Sequence, residues 1–189
     1  MTGHRFNPEH ANKLLNPKRG KAILPENVIE IMNIQKGDQV VELGAGNGYF
    51  TLPIARITEE MVYAVDIEPH MLSLLQDRAR EQHISNLTYV TSDVTNTQLP
   101  DEVADKVLFA FVAHEIPDIG ALLREVSRIV KKGGQLLIVE WEAVVSESGP
   151  ALEERIPSIK LQNLLTSFGY ASKFYKISDS VYGLLVRMS

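Results

Sequence analysis

Val40-Val41-Glu42-Leu43-Gly44-Ala45-Gly46-Asn47-Gly48-Tyr49-Phe50 is the stretch whose reading decides the fold. A short apolar run, broken by one acid, leads into three glycines at alternate positions. A strand that ends in such a turn lets the backbone reverse tightly and lets a ligand approach the main chain closely. A turn that merely needs a positive φ would explain one glycine, but hardly three. Spacing then separates two ligand classes. Dinucleotide sites use G-x-G-x-x-G, with a pyrophosphate at the helix N-terminus. Here the third glycine is Gly48, Tyr49 follows it, and Glu42 stands two residues before the first glycine. A carboxylate at that place repels a pyrophosphate and suits a cation.

Outward from this turn, short runs rich in Val, Ile and Leu alternate with segments of helical period. The expected strands are Gln39–Leu43, Met61–Val65, Leu87–Val90, Lys106–Val112 and Gln135–Val139. Most are apolar on both faces, as in a parallel sheet covered by helices on both sides. The expected helices run from about Tyr49 to Ile57, from Pro69 to about Gln82, and from Asp118 as N-cap to a stop at Gly133–Gly134. Pro53 fits the first of these only within its first turn. A fourth carries Leu161, Leu164, Leu165 and Phe168 on one face, with Gly169 placed just past its end. Val28–Ile34 reads as a short helix before the first strand. Ser172–Ile177 and Val181–Met188, joined by Ser178-Asp179-Ser180, read as a terminal hairpin. The fold class is therefore α/β: a Rossmann-like, doubly wound, mostly parallel seven-stranded sheet with one antiparallel strand in a C-terminal hairpin. Residues 1–35 form an arm or lid with a short helix, and 36–189 form the main body of one compact domain.

The chain has 189 residues, 44% hydrophobic and 23% charged, which is ordinary for a globular domain and too apolar for disorder. Cysteine is absent, which excludes disulfides, thiolate catalysis and any metal site with a cysteine ligand. The net charge of −5 disfavours a nucleic-acid partner, because such binding rests on neutralising phosphates. Locally the first 21 residues reverse that balance: Arg5, Lys13, Lys18, Arg19 and Lys21 face only Glu9. Such an arm is a solvated tail or folds over an anionic ligand. No apolar run approaches the roughly 20 residues of a membrane helix, and the first ten residues are too polar for a signal peptide. The expected home is the cytoplasm, with no membrane partner; the oligomeric state stays open.

With these residues in view, the chain resembles the class I S-adenosylmethionine-dependent methyltransferases of small-molecule type, over about residues 36–141. The Gly44–Gly48 turn is similar to the family's first motif. Met61-Val62-Tyr63-Ala64-Val65-Asp66 is a strand ending in an acid 22 residues after Gly44, and Thr91-Ser92-Asp93-Val94 ends the third strand with another. Asp105–Val112 with His114-Glu115-Ile116-Pro117-Asp118, then Val130-Lys131-Lys132-Gly133-Gly134-Gln135, resemble the later signatures. The resemblance implies S-adenosyl-L-methionine as cofactor. Glu42 and the backbone of Gly44, Ala45 and Gly46 would hold its methionine portion, and Gly48 would let the helix start close by. Asp66, with Ile67 beside it, would take the ribose hydroxyls. Asp93 would accept from the adenine amino group and Val94 would donate to a ring nitrogen, with Ala110 at the end of the fourth strand. Either acid alone could equally be a turn cap.

The implied reaction is in-line displacement at the sulfonium methyl onto a small-molecule acceptor, with positioning as the protein's main contribution. His114 is the candidate base, weighed evenly against a loop histidine bonded to backbone. Asn-Pro-Pro-aromatic, the family's signature for attack by amino groups, is replaced by Ala110-Phe111-Val112-Ala113. Glu140 and Glu142 are expected in the pocket beside His114, but no metal site is expected. The acceptor pocket should include His4, Arg5, Phe6, Arg19, Tyr49, Phe50, His114, Trp141 and the loop Glu142–Glu154, with Arg155 hinting at an anionic acceptor. Phe50 and Trp141 read first as core packing. Two other readings stay open: a non-catalytic cofactor-binding module acting through a partner, and a nicotinamide-dependent oxidoreductase, which Glu42 and Tyr49 disfavour.

Overall fold

The computed structural model describes residues 23–188. Helix α1 (Pro25–Met32) starts earlier than the apolar spacing suggests, because Pro25 presets φ at the first helical position. The Asn27 side chain accepts the Leu24 N–H at 3.0 Å, and Asn33 ends the helix at φ 49°. Strands β1 (Val40–Leu43), β2 (Val62–Asp66) and β3 (Leu87–Thr91) then alternate with α2 (Thr51–Ala55) and α3 (Pro69–Glu81). Strand β4 (Ala104–Ala110), α4 (Ile119–Ile129), β5 (Val130–Trp141), α5 (Ser158–Ser167), β6 (Ser172–Lys176) and β7 (Val181–Arg187) complete the chain. Pro53 falls on the third residue of α2, where no hydrogen bond is lost.

The seven strands lie in the order β3-β2-β1-β4-β5-β7-β6. The first five are parallel, and β7 runs antiparallel between β5 and β6. Crossovers from β1 lead outward through β2 to β3, and the chain then returns to place β4 on the other side of β1. That reversal opens a crevice at the carboxyl ends of β1 and β4. Alternate residues of the strands enter two cores. Val41, Leu43, Val107 and Phe109 pack under Leu122 and Val126 of α4 and Leu161 and Leu165 of α5. Val40, Leu108, Leu137 and Val139 pack under Val28 and Met32 of α1 and Ile54 of α2. Each such fully buried side chain contributes about 1.5–3 kcal/mol of transfer free energy.

Helix α2 is shorter than the expected Tyr49–Ile57, and two further boundaries differ from the sequence reading. Gly133–Gly134 do not end α4, which stops at Ile129; they sit inside β5, where the pairing with β4 jumps from Ala104↔Val130 to Lys106↔Gln135. Residues 131–134 loop out there, with Gly133 at φ +81°, and exchange hydrogen bonds with Met188. Strand β4 ends at Ala110 rather than Val112, because Phe111 adopts φ 61° and swings the chain out over the crevice.

Candidate active site

The crevice begins where β1 stops. Gly44 and Ala45 both donate to the Val65 carbonyl, at 2.8 and 2.9 Å, which folds the chain back over β2. Gly44 has φ +77°, and a Cβ there would come within 2.5 Å of Val112. The Gly46 N–H donates to one oxygen of Asp66 at 2.7 Å, and the Glu68 N–H donates to the other at 2.9 Å. Asp66 therefore pins the turn, with the Ile67 N–H as a third main-chain donor to its carboxylate. Burial pushes its carboxyl up, only partly offset by those N–H groups. Glu42 is buried and accepts the Thr51 hydroxyl at 2.5 Å.

At the end of β3, Asp93 accepts both the N–H and the hydroxyl of Thr95, at 2.8 and 2.7 Å, so one carboxylate oxygen organises its own turn. The following loop is anchored from α4. Glu125 accepts the Thr97 N–H and hydroxyl at 2.8 and 2.6 Å, and Arg128 bridges Glu125 to the Leu99 carbonyl and Asp101. Sequence reasoning had no signal for this anchor, whose members lie 28 residues apart.

Glu42, Gly44, Ala45, Gly46, Asp66, Ile67, Asp93, Val94 and Ala110 all line one cavity of about 850 Å³. Thr95, Glu68 and Asn47 line it too and were not anticipated. Gly48 does not line it: it faces α3, where a Cβ would collide with Leu75 at 2.2 Å.

The cavity continues past the turn into a second half walled by Tyr49, Phe50, Phe111 and Trp141. Their rings form a chain with centroids 4.9, 6.3 and 5.0 Å apart. Phe50 and Trp141, expected as core, are buried and also face the cavity. The Tyr49 hydroxyl donates to the Ile23 carbonyl at 2.8 Å. His114 lies here on a short 3-10 turn (Ala113–Glu115) just beyond β4. Its Nδ1 is 2.9 Å from Glu140, and its Nε2 is 3.9 Å from Glu115. Burial works against a charge on His114. The bond and charge of Glu140, then the charges of Glu115 and Glu154, outweigh it, so the imidazole titrates above its ordinary value.

Three expectations for this half are corrected. Glu140 and Glu142 do not line the cavity. Glu140 lies behind His114, and Glu142 accepts from the N–H groups of Ala143 and Ser158, at 3.0 and 3.2 Å. Arg155 is not an anion receptor: it is buried and donates to the carbonyls of Pro150, Glu142, Val144 and Ser148 and to the Ser146 hydroxyl. Its guanidinium also lies 5.5 Å from the Trp141 ring, so it holds the loop after β5 down on the indole. Gly149, at φ +100°, permits that contact, since a Cβ there would meet the indole at 2.8 Å. His4, Arg5, Phe6 and Arg19 lie outside the described residues.

The sequence profile of the methyltransferase domain family matches residues 41–138, from β1 through most of β5. The chain belongs to the methyltransferase domain family. It is 27% identical over 117 residues to a demethylmenaquinone methyltransferase of Geobacillus sp. (strain WCH70), covering 61% of this chain and 50% of that protein. Over 122 residues it is 30% identical to a ubiquinone/menaquinone biosynthesis C-methyltransferase of Vibrio parahaemolyticus, covering 63% and 47%. The chain thus spans about half the length of these curated relatives. The crystal structure of a SAM-dependent methyltransferase from Aquifex aeolicus superposes with a TM-score of 0.92 at 23% identity, covering 98% of this chain and 100% of that one. The methyltransferase fold therefore extends beyond the matched segment to α5 and the terminal hairpin. No helix among the described residues is long and apolar enough to cross a membrane.

Proposed function

We propose that this methyltransferase-family protein moves a methyl group from S-adenosylmethionine to a small, uncharged, ring-bearing molecule. One observation carries the reading: the glycine turn with its strand-end acids and the aromatic half belong to a single continuous cavity. Its volume lies towards the upper end of the roughly 300–1,000 Å³ usual for ligand sites, in keeping with two small molecules side by side. Glu42 and the backbone of Gly44, Ala45 and Gly46 receive the cationic methionine portion. Asp66 and Ile67 receive the ribose, and Asp93, Val94 and Ala110 the adenine; Gly48 acts through packing on α3. The aromatic wall then places a flat acceptor against the sulfonium methyl, where orientation supplies the main rate advantage.

Among the described residues lining the cavity there is no lysine or arginine, whereas Glu115, Asp118, Glu147 and Glu154 stand on its acceptor side. That favours an acceptor without an acid group and disfavours nucleic acid. The quinone names of the curated relatives support a ring. The reading includes no metal, because Glu140 and Glu142 are committed to His114 and to main-chain N–H groups. It situates the reaction in the cytoplasm. Calorimetry with S-adenosylhomocysteine tests the first half: binding is expected, and no heat at millimolar ligand overturns the reading. Labelled methyl transfer onto a metabolite panel tests the second, and discriminates catalysis from a binding-only role.

A further inference from the structure

Glu140 presents a carboxylate that no ligand reaches. It is fully buried in β5, behind the cavity wall rather than on it. One of its oxygens accepts the Trp141 N–H at 2.7 Å. The other accepts the His114 N–H at 3.3 Å and lies 2.9 Å from His114 Nδ1. A carboxylate taken out of water is costly unless its lone pairs are met, and here an imidazole joins two main-chain N–H groups in meeting them. An ionised carboxylate can only accept, so Nδ1 must donate. In the neutral imidazole that leaves the lone pair on Nε2, the nitrogen turned away from Glu140. His114 lines the cavity, and this second nitrogen, 3.9 Å from Glu115, is the one that Glu140 does not hold.

We propose that Glu140 is a positioning residue that holds His114 as a base of fixed tautomer, ready to take a proton from the methyl acceptor. The proposal rests on the methyl-transfer reading above. In the step, the receiving atom attacks the methyl carbon and the carbon–sulfur bond breaks. Its electron pair stays on sulfur, which becomes a neutral thioether. The proton leaves the receiving atom for Nε2, and Glu140 stabilises the imidazolium without being protonated itself. The arrangement serves acceptors whose receiving atom bears a proton, such as a hydroxyl, an N–H or an acidic carbon. A thioether or a tertiary amine has no use for it.

The charged groups around the imidazole come from three places: Glu140 on β5, Glu115 on its own turn, and Glu154 on the 3-10 turn Leu152–Glu154. Tyr182 of β7 faces Glu140 from the other side. Burial, then Glu140 and Glu142, push its hydroxyl up, and it donates to the Ile156 carbonyl at 2.9 Å. It therefore remains neutral beside the dyad and does not compete for the proton.

The test is ¹H–¹⁵N spectroscopy of the imidazoles in the full chain with S-adenosylhomocysteine added, His114 being assigned from its loss in His114→Gln. Above its titration, the wild-type ring should show its proton on Nδ1 and a bare Nε2. In Glu140→Gln the titration midpoint should fall by about one pH unit or more, the usual effect of losing an opposite charge at hydrogen-bond distance. Glu140→Asp should restore it in part. A proton on Nε2 in the wild type, or an unmoved midpoint in Glu140→Gln, overturns the proposal. The wild-type tautomer decides on its own should the variant not fold. Failure of S-adenosylhomocysteine to bind counts against the methyl-transfer reading and leaves the tautomer and midpoint to be read separately.

Discussion

The two halves of the cavity are built by different means. The half proposed for the cofactor is made where β1, β2 and β3 end, from consecutive strand–turn units whose main chain is fixed by the parallel ladder. Its decisive contact, Gly46 N–H to Asp66, joins neighbouring strands 20 residues apart. The half proposed for the acceptor is assembled from side chains: Tyr49 and Phe50 beyond the glycine turn, the turn after β4, the end of β5 and the loop that Arg155 ties down. A site set by sheet topology persists whatever the loops do. A site set by side chains can be reshaped by changing a loop, and this is how one fold serves many acceptors.

That contrast can be broken most forcefully at Gly48. Alanine there must adopt φ +86° and displace Leu75, which is fully buried. Gly48→Ala should lose about 2–4 kcal/mol of stability by denaturant unfolding, the combined cost of a left-handed residue and an overpacked core. A stable variant with unaltered cofactor affinity would show that the turn is less constrained than its geometry requires. Next in size is Arg155→Ala, which strips a buried guanidinium from five acceptors. A loss of about 2–4 kcal/mol is expected, with faster proteolysis inside residues 142–150 while S-adenosylhomocysteine binding survives. If cofactor binding falls equally, the halves are not separable.

Legibility in the sequence followed the same division. Glu42, Asp66 and Asp93 could be expected on one cavity because they lie in, at the end of and just beyond the first three strands, and the strand pattern itself announced where the sheet's edge would be. Gly48 was read as letting the next helix start close by, and a Cβ there would meet Leu52 of that helix at 3.3 Å; the tighter contact, Leu75 at 2.2 Å, was not legible because it lies on another helix. In the other half Glu140 was expected beside His114 but as a lining residue: the β4–β5 pairing brings it there from 26 residues on, and it bonds the imidazole from behind the wall. Arg155 misled because a positive charge reads as an anion site until the carbonyls around it are known. Gly133–Gly134 misled because a glycine pair serves a bulge as well as it serves a helix stop.

Asp66→Ala sharpens the comparison from the cofactor side. It removes the proposed ribose acceptor and leaves the Gly46 and Glu68 N–H groups without their partner. S-adenosylhomocysteine should bind about 1–3 kcal/mol more weakly by calorimetry, whereas Arg155→Ala leaves it unchanged. An unaltered dissociation constant would return Asp66 to the role of a turn cap alone.

The smallest effect concerns one proton in the acceptor half. His114 is held above its ordinary pKa of 6.5 despite its burial, by Glu140 first and then by Glu115 and Glu154. A folded-state value above the unfolded one means that the native protein binds the proton more tightly. The stabilisation is complete below about pH 6.5 and fades as pH rises through the folded-state value. His114→Gln retains a side-chain donor for Glu140 but cannot titrate, so it subtracts the hydrogen bond from the charge. Melting temperatures of the two proteins should therefore diverge towards acid, with the wild type gaining, and run parallel in alkali. A constant gap across that range would mean that the folded chain binds this proton no more tightly than the unfolded one; a wild type that loses towards acid would mean that His114 stays neutral in the folded chain, with Glu140 bonded to a dipole rather than to a cation.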